Sequence, residues 1–291
     1  MDGVFDLLRE CLRAEVPVAL ATVIEVGDGG GVGGVGGVGA GLPPLGAKLL
    51  VRADIDPVGS LPDPELSRIV ARDAHGALMA GSNVIRHYGR CGEAGRREVT
   101  VFIEVFSPPS LMLIFGAVDF SAALVRLGKV LGYHVTVCDA RPAFATVARF
   151  PEADEVVADW PHRYLAKVAD TLGPSDAVCV LTHDHKFDIP VLMAALDTGA
   201  GYIGAMGSRA THEDRTQRLR AHGVAPEQIQ RIMAPIGLDI GSRTPEETAV
   251  SICAEIISLR AGMTAPSLRD GSGPIHRTTT LASASASSAR S

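Results

Sequence analysis

The feature that most constrains this chain is a series of short, unbroken apolar runs in its second half: LMLIF from Leu111, VTVC from Val135, AVCVL from Ala177 and YIGAM from Tyr202. Runs of this length without polar alternation suit parallel strands buried on both faces. Between the first two, Leu124, Leu127 and Leu131 recur at helical spacing. Strand and helix in alternation predict an α/β fold, a Rossmann-like parallel sheet with crossover helices.

The first half is patterned differently. Val4 to Ala14 is amphipathic, and VALATVIEV (Val18 to Val26), AKLLVRA from Ala47 and VTVFIEVF (Val99 to Phe106) read as strands. We therefore expect a smaller α+β N-terminal domain at 1–107, followed by the Rossmann-like domain at 108–263. Between the first two strands lies GDGGGVGGVGGVGAGLPP, too glycine-rich to pack a core and expected to be a loop. Pro108 and Pro109 stiffen the junction. The last helix is expected to start at Thr244, with Pro245 in its first position and Glu247 closing a capping box, and to end near Gly262. Residues 264–291 are Ser/Thr/Ala-rich and are expected to be a disordered tail.

A net charge of -6 and the lack of any basic stripe exclude an electrostatic footprint for nucleic acid. The apolar runs break before the ~20 residues of a membrane span, and the acidic N-terminus lacks the features of a signal peptide, so a cytoplasmic protein with no membrane or nucleic-acid partner is expected. Five scattered cysteines with no CxxC pair fit neither a disulfide framework nor a structural zinc site. Cys91, in a polar segment, is the one candidate for a reactive thiol.

Gly116 follows a buried strand and opens a helix, where a dinucleotide fingerprint would stand, and Asp139 ends the next strand, where such folds hold a ribose. Yet Val118 replaces the glycine that lets a pyrophosphate approach, and Asp119 puts negative charge at the helix start. NAD(P) is therefore not the expected cofactor.

Three polar loops follow later strands, at the sheet edge where α/β folds bind ligands. The first holds His183, Asp184, His185, Lys186 and Asp188; on an extended segment His183 and His185 point the same way, which leaves open a cofactor-facing cluster, a metal or a plain loop with Asp188 capping the next helix. In the second, Gly207, Ser208 and Arg209 open a helix and form either an anion seat or a simple cap with a surface arginine. Gly237, Asp239, Gly241 and Arg243 make the third.

THDHKFDIPVL, YIGAMGSR, APIGLDIGSRTPEE and AVSICAEIISLRAG, in this order and spacing, resemble the XdhC/CoxI family of accessory proteins, and VALATVIEV, LGAKLLVRADIDPVGS and VTVFIEVF follow that family's outline more loosely. The chain departs from the family twice: Leu61-Pro62-Asp63-Pro64 stands where relatives carry Ser-Gly-Gly-Cys, and Gly116-Ala117-Val118-Asp119 where they carry Gly-Ala-Gly-His. The resemblance implies a divergent maturation factor that binds the molybdenum cofactor (molybdopterin) and assists its sulfuration or insertion into a molybdenum hydroxylase. By the same resemblance its partners are the apo-enzyme and a cysteine desulfurase, and it is a homodimer. The rival expectations are an NAD(P)-dependent oxidoreductase and a ligand-free interaction protein that keeps the fold.

Overall fold

A computed structural model describes residues 2–27, 42–93 and 97–270. The glycine tract and most of the expected tail lie outside the described residues. Helix α1 (Asp2–Arg13) leads into β1 (Val18–Val26), followed by β2 (Lys48–Val51), β3 (Val58–Gly59), α2 (Pro64–Ala80), β4 (Val84–Tyr88) and β5 (Val99–Phe106). These five strands form one antiparallel sheet in the order β3-β2-β1-β5-β4.

Local chemistry accounts for α2, which the sequence patterning does not suggest. Asp63 caps it by accepting from the Leu66 amide at 2.8 Å, Pro64 sits in the first turn, and Gly81 ends it in a left-handed conformation (φ 62°). Leu66, Val70, Ala74 and Ala77 recur along one face and bury against Ala19, Ala21, Val101 and Ile103 of the sheet. Strand β4 is also unanticipated, because its VIRHY sequence is too polar to stand out.

The second sheet contains β6 (Leu111–Phe115), β7 (His134–Asp139), β8 (Glu155–Ala158), β9 (Ala177–Val180), β10 (Tyr202–Ala205) and β11 (Ile232–Met233). All are parallel, in the order β11-β10-β9-β6-β7-β8. Its helices are α3 (Asp119–Val130), α4 (Pro161–Val168), α5 (His185–Leu196), α6 (Arg209–Ala221), the short α7 (Pro226–Ile229) and α8 (Pro245–Arg260).

Strand alternation divides the core between the two faces. Met112 and Ile114 face one cluster with Leu124, Val125, Ala249 and Ile252, where α3 packs on α8; Leu113 and Phe115 face the other with Leu165, Val191, Leu192 and Leu219. Each of these side chains is at most 2% exposed, so truncating one of the larger ones to Ala is expected to cost about 2–5 kcal/mol. Of the leucines placed on one face of α3, Leu124 is fully buried and Leu127 partly so, but Leu131 lies just past the helix end and is exposed.

The expected α/β class, with its parallel C-terminal sheet beside a smaller antiparallel one, is the fold observed. The capping box on α8 forms as expected: Thr244 Oγ1 accepts from the Glu247 amide, and Glu247 accepts from the Thr244 amide, both at 3.1 Å. Among the described residues no helix is long and apolar enough to cross a membrane.

Candidate functional site

Strand order reverses between β6 and β9, where the chain leaves β6 toward β7 on one side and β9 lies on the other. Ligands of open parallel sheets bind in the crevice at the carboxyl ends of such strands. Gly116 sits at this point with φ 115°, and an added Cβ would lie 2.9 Å from Thr182 Cγ2 and 3.0 Å from the Thr182 amide nitrogen. Glycine is therefore required here by packing between the two loops as well as by backbone conformation.

The turn closes on itself. Ser121 Oγ donates to the Gly116 carbonyl at 2.5 Å, and the Ala117 amide donates to Asp139 Oδ2 at 2.8 Å. Asp139 also accepts from the Arg141 amide (2.9 Å) and from Arg141 Nε (2.9 Å) and Nη2 (2.8 Å). Burial pushes the Asp139 carboxyl up, but the Arg141 fork and the two amides more than offset it and hold it below the usual range. A carboxylate so fully engaged has no lone pair left for a ribose hydroxyl, so Asp139 serves to fasten the turn. Asp119 is exposed and lies 3.7 Å from Arg149, whose guanidinium, like that of Arg141, stands over the Phe144 ring.

The loop after β9 corrects two sequence expectations. Its extended course stops before His185, which is the first residue of α5, so His183 and His185 are not neighbours on a strand. Asp184, not Asp188, caps that helix, accepting from the Lys186 amide at 3.1 Å. Because α5 begins at His185, the extended residue just before it, Asp184, is the one placed to cap it. His183 is exposed and makes no hydrogen bond among the described residues; His185 Nε2 lies 3.2 Å from Asp214 Oδ2; Lys186 pairs with Asp184 at 2.9 Å.

Asp188 instead turns inward. It accepts a hydrogen bond from the Thr182 hydroxyl and pairs with Arg215 of α6 at 3.0 Å, both side chains being 1% exposed. Arg215 Nη2 also donates to the Met206 carbonyl at 2.8 Å, which ties α5 and α6 to the end of β10. Burial pushes the Asp188 carboxyl above its usual range, and the positive charge of Arg215 pulls it back only in part. Sequence reasoning misses Arg215 because it lies in RATHEDRTQRLRA, a helix that reads as solvated and buries only Arg215 and Leu219. No signal in a single sequence distinguishes it from its surface neighbours.

Gly207 (φ 143°) precedes Ser208, which caps α6 by accepting from the Thr211 amide at 3.1 Å. Arg209 is exposed and without an ion pair among the described residues. In the third loop Gly237 (φ 94°) presses on α8, where a Cβ would lie 2.5 Å from Ser251 Oγ, and its amide donates to Glu255 at 2.9 Å. Gly241 has φ 75°, and the Arg243 amide donates to Glu247 at 2.7 Å. Among the described residues no hydrogen bond or ion pair joins Asp239, Gly241 or Arg243 to the other two loops. The structure thus links Gly116 and Asp139 with the segments 182–188 and 206–215, and leaves the third loop fastened to α8.

Among the described residues no cluster of three or more His, Cys, Asp or Glu is placed to hold a metal ion. Cys91 is exposed, whereas the other four cysteines are buried.

Residues 112–256 match the XdhC Rossmann domain family. Over 160 residues the chain is 34% identical to a probable xanthine dehydrogenase subunit from Bacillus subtilis, covering 55% of this chain and 46% of that protein. Over 155 residues it is 29% identical to the molybdenum cofactor insertion chaperone PaoD of Escherichia coli, covering 53% and 42%. The matched regions thus span less than half of these curated relatives. The crystal structure of a xanthine dehydrogenase from Bacillus halodurans aligns with 90% of this chain and 97% of its own, at 21% identity and a TM-score of 0.49.

Proposed function

Because the chain belongs to the XdhC family over residues 112–256, we propose that it is a maturation factor for a molybdenum hydroxylase. It binds the molybdenum cofactor at the carboxyl edge of the parallel sheet and assists its sulfuration or its insertion into the apo-enzyme. The names of two relatives, an insertion chaperone and a probable subunit of xanthine dehydrogenase, support the maturation role.

The observation that carries the cofactor site is the set of donors around the start of α6. The first amides of a helix have no intrahelical acceptor and favour negative charge. Here they adjoin exposed Arg209, which among the described residues has no ion pair, and the buried Arg215 guanidinium, whose Nε and Nη1 lack an acceptor among them. Such a donor set fits the phosphate of a pterin. When bound, the cofactor supplies the metal centre that the client enzyme uses. Arg209, Lys186 and the α6 amides would hold its phosphate, while His183, His185 and the Gly116 turn orient the ring by hydrogen bonds and contact.

A nicotinamide dinucleotide fits less well, since Asp139 is saturated by Arg141 and the Ala117 amide. We further take the protein to act in the cytoplasm as a homodimer, with a cysteine desulfurase as a second partner, and assign 1–107 and 108–263 as its folding units.

The test is to purify the tagged chain from its native cells, quantify molybdenum and pterin in it, and identify the proteins that accompany it. Near-stoichiometric pterin with a co-purifying molybdenum hydroxylase is expected. A bound nicotinamide nucleotide, or a protein that stays empty and alone, overturns the proposal.

A further inference from the structure

Among the described residues six buried side-chain nitrogen or oxygen atoms lack a hydrogen-bond partner, and four of these lie on α6 or at the start of α5, which packs on it: Arg215 Nε and Nη1, His212 Nδ1 and His185 Nδ1. Buried polar atoms are rarely left unpaired, so a concentration of them asks for a ligand. Hydrogen bonds fix where the guanidinium lies. Arg215 Nη2 donates to the Met206 carbonyl, which places the group directly under the Met206–Ser208 turn at the start of α6. Asp188 holds the same nitrogen and is itself engaged by the Thr182 hydroxyl, so it leaves Nε and Nη1 without an acceptor.

The two imidazoles flank this group. His185 Nε2 lies 3.2 Å from Asp214 Oδ2, and its Nδ1 has no partner among the described residues. Burial, helped by the charge of Arg215, depresses the His212 imidazole, which therefore acts as a neutral hydrogen-bonding group. His212 also lines an open hollow of about 410 Å³ with Glu213, Thr216, Gln217 and Arg220.

We propose that this junction of α5 and α6 is the oxyanion subsite of the carboxyl-edge site and that it receives the phosphate monoester of a small molecule. Arg215 donates through Nε and Nη1, His212 donates through Nδ1, and the first amides of α6 close the ring of donors. The Asp188–Arg215 pair is neutral as a unit, so selection comes from geometry: donors from two side chains and a helix start surround a tetrahedral group better than a planar carboxylate. The subsite rests on the maturation role only for the identity of the molecule that carries the phosphate.

The test titrates the full chain with inorganic phosphate, phenyl phosphate and acetate by calorimetry, while the imidazole signals of His185 and His212 are followed by NMR. Saturable binding of both phosphates is expected, with acetate at least about tenfold weaker and both imidazole signals moving. Arg215→Lys, which keeps a cation beside Asp188, should weaken phosphate about tenfold or more. Should that variant fail to fold, His212→Phe at a partly exposed position should weaken phosphate about fivefold. Absent phosphate binding, unmoved imidazoles, or variants that bind like the parent overturn the subsite; binding of inorganic phosphate alone overturns the monoester. Cofactor retained by a chain that does not bind phosphate sinks the subsite and spares the maturation role. Phosphate bound through Arg215 in a chain that never holds pterin does the reverse.

Discussion

Arg215 Nη2 lies 3.0 Å from Asp188 Oδ2, and with both side chains 1% exposed this ion pair joins α5 to α6 below the carboxyl edge of the sheet. Pairs this deep gain little net stability over apolar packing, but removing one partner strands a charge. Asp188→Asn or Arg215→Leu alone should therefore destabilise the fold by about 3–5 kcal/mol. Replacing both, as Asp188→Leu with Arg215→Leu, should cost less than the sum. A denaturant double-mutant cycle measures this, and additive losses would show that the two residues do not act together.

How far the sequence announces these features depends on how local their causes are. The strands of the parallel sheet are legible because burial on both faces leaves runs such as Val135–Cys138 wholly apolar or β-branched. The start of α8 is legible because Thr244, Pro245 and Glu247 are a contiguous capping signal. The Asp188–Arg215 pair is not, since its partners lie 27 residues apart and only the packing of α5 on α6 makes them neighbours. Asp139 stands at its strand end as the sequence predicts, but its saturation by Arg141 depends on the side-chain direction of a loop residue. Helix α2 escapes notice because Arg68, Arg72 and Asp73 interrupt its apolar pattern.

Asp139 also links the fold to pH. Its folded pKa lies below the unfolded value, so its contribution is complete above the ordinary carboxylate range and is lost as pH falls through the folded value. Asp154, Asp159 and Asp184 are shifted the same way by their lysine partners. The melting temperature should therefore drop below about pH 4, and Asp139→Asn should flatten that drop. Asp188 works in the opposite sense: its raised folded value means that protonation begins first in the folded state, which recovers some stability as pH falls. An Asp139→Asn profile parallel to the parent's in acid would refute the assignment.

NAD(H) and NADP(H) are expected to bind more weakly than the micromolar range. Opening the turn with Val118→Gly and Asp119→His should raise affinity only slightly while Arg141 occupies Asp139 at 2.8 Å. Adding Arg141→Ala frees the carboxylate and should raise it further. Calorimetric titration of the three forms checks the order; micromolar binding by the parent would contradict it.

Arg209 occupies the first position of α6, exposed and without an ion pair among the described residues, so its removal exposes no buried partner. Arg209→Ala should leave the melting temperature close to the parent's, since surface substitutions away from caps and cores change stability by about 0.5 kcal/mol at most. Its effect should appear in binding. A charge-assisted hydrogen bond to phosphate contributes about 1.5–3 kcal/mol, so molybdopterin affinity should fall roughly 10- to 150-fold. Because the contact is solvent-exposed, the difference between parent and variant should shrink as salt rises. Loss of binding at His183→Ala, which removes a hydrogen-bonding contact and not an ion pair, should not shrink in that way. Equal affinity of parent and Arg209→Ala at low salt would move the phosphate away from the mouth of α6 and leave Arg215 as its cationic contact.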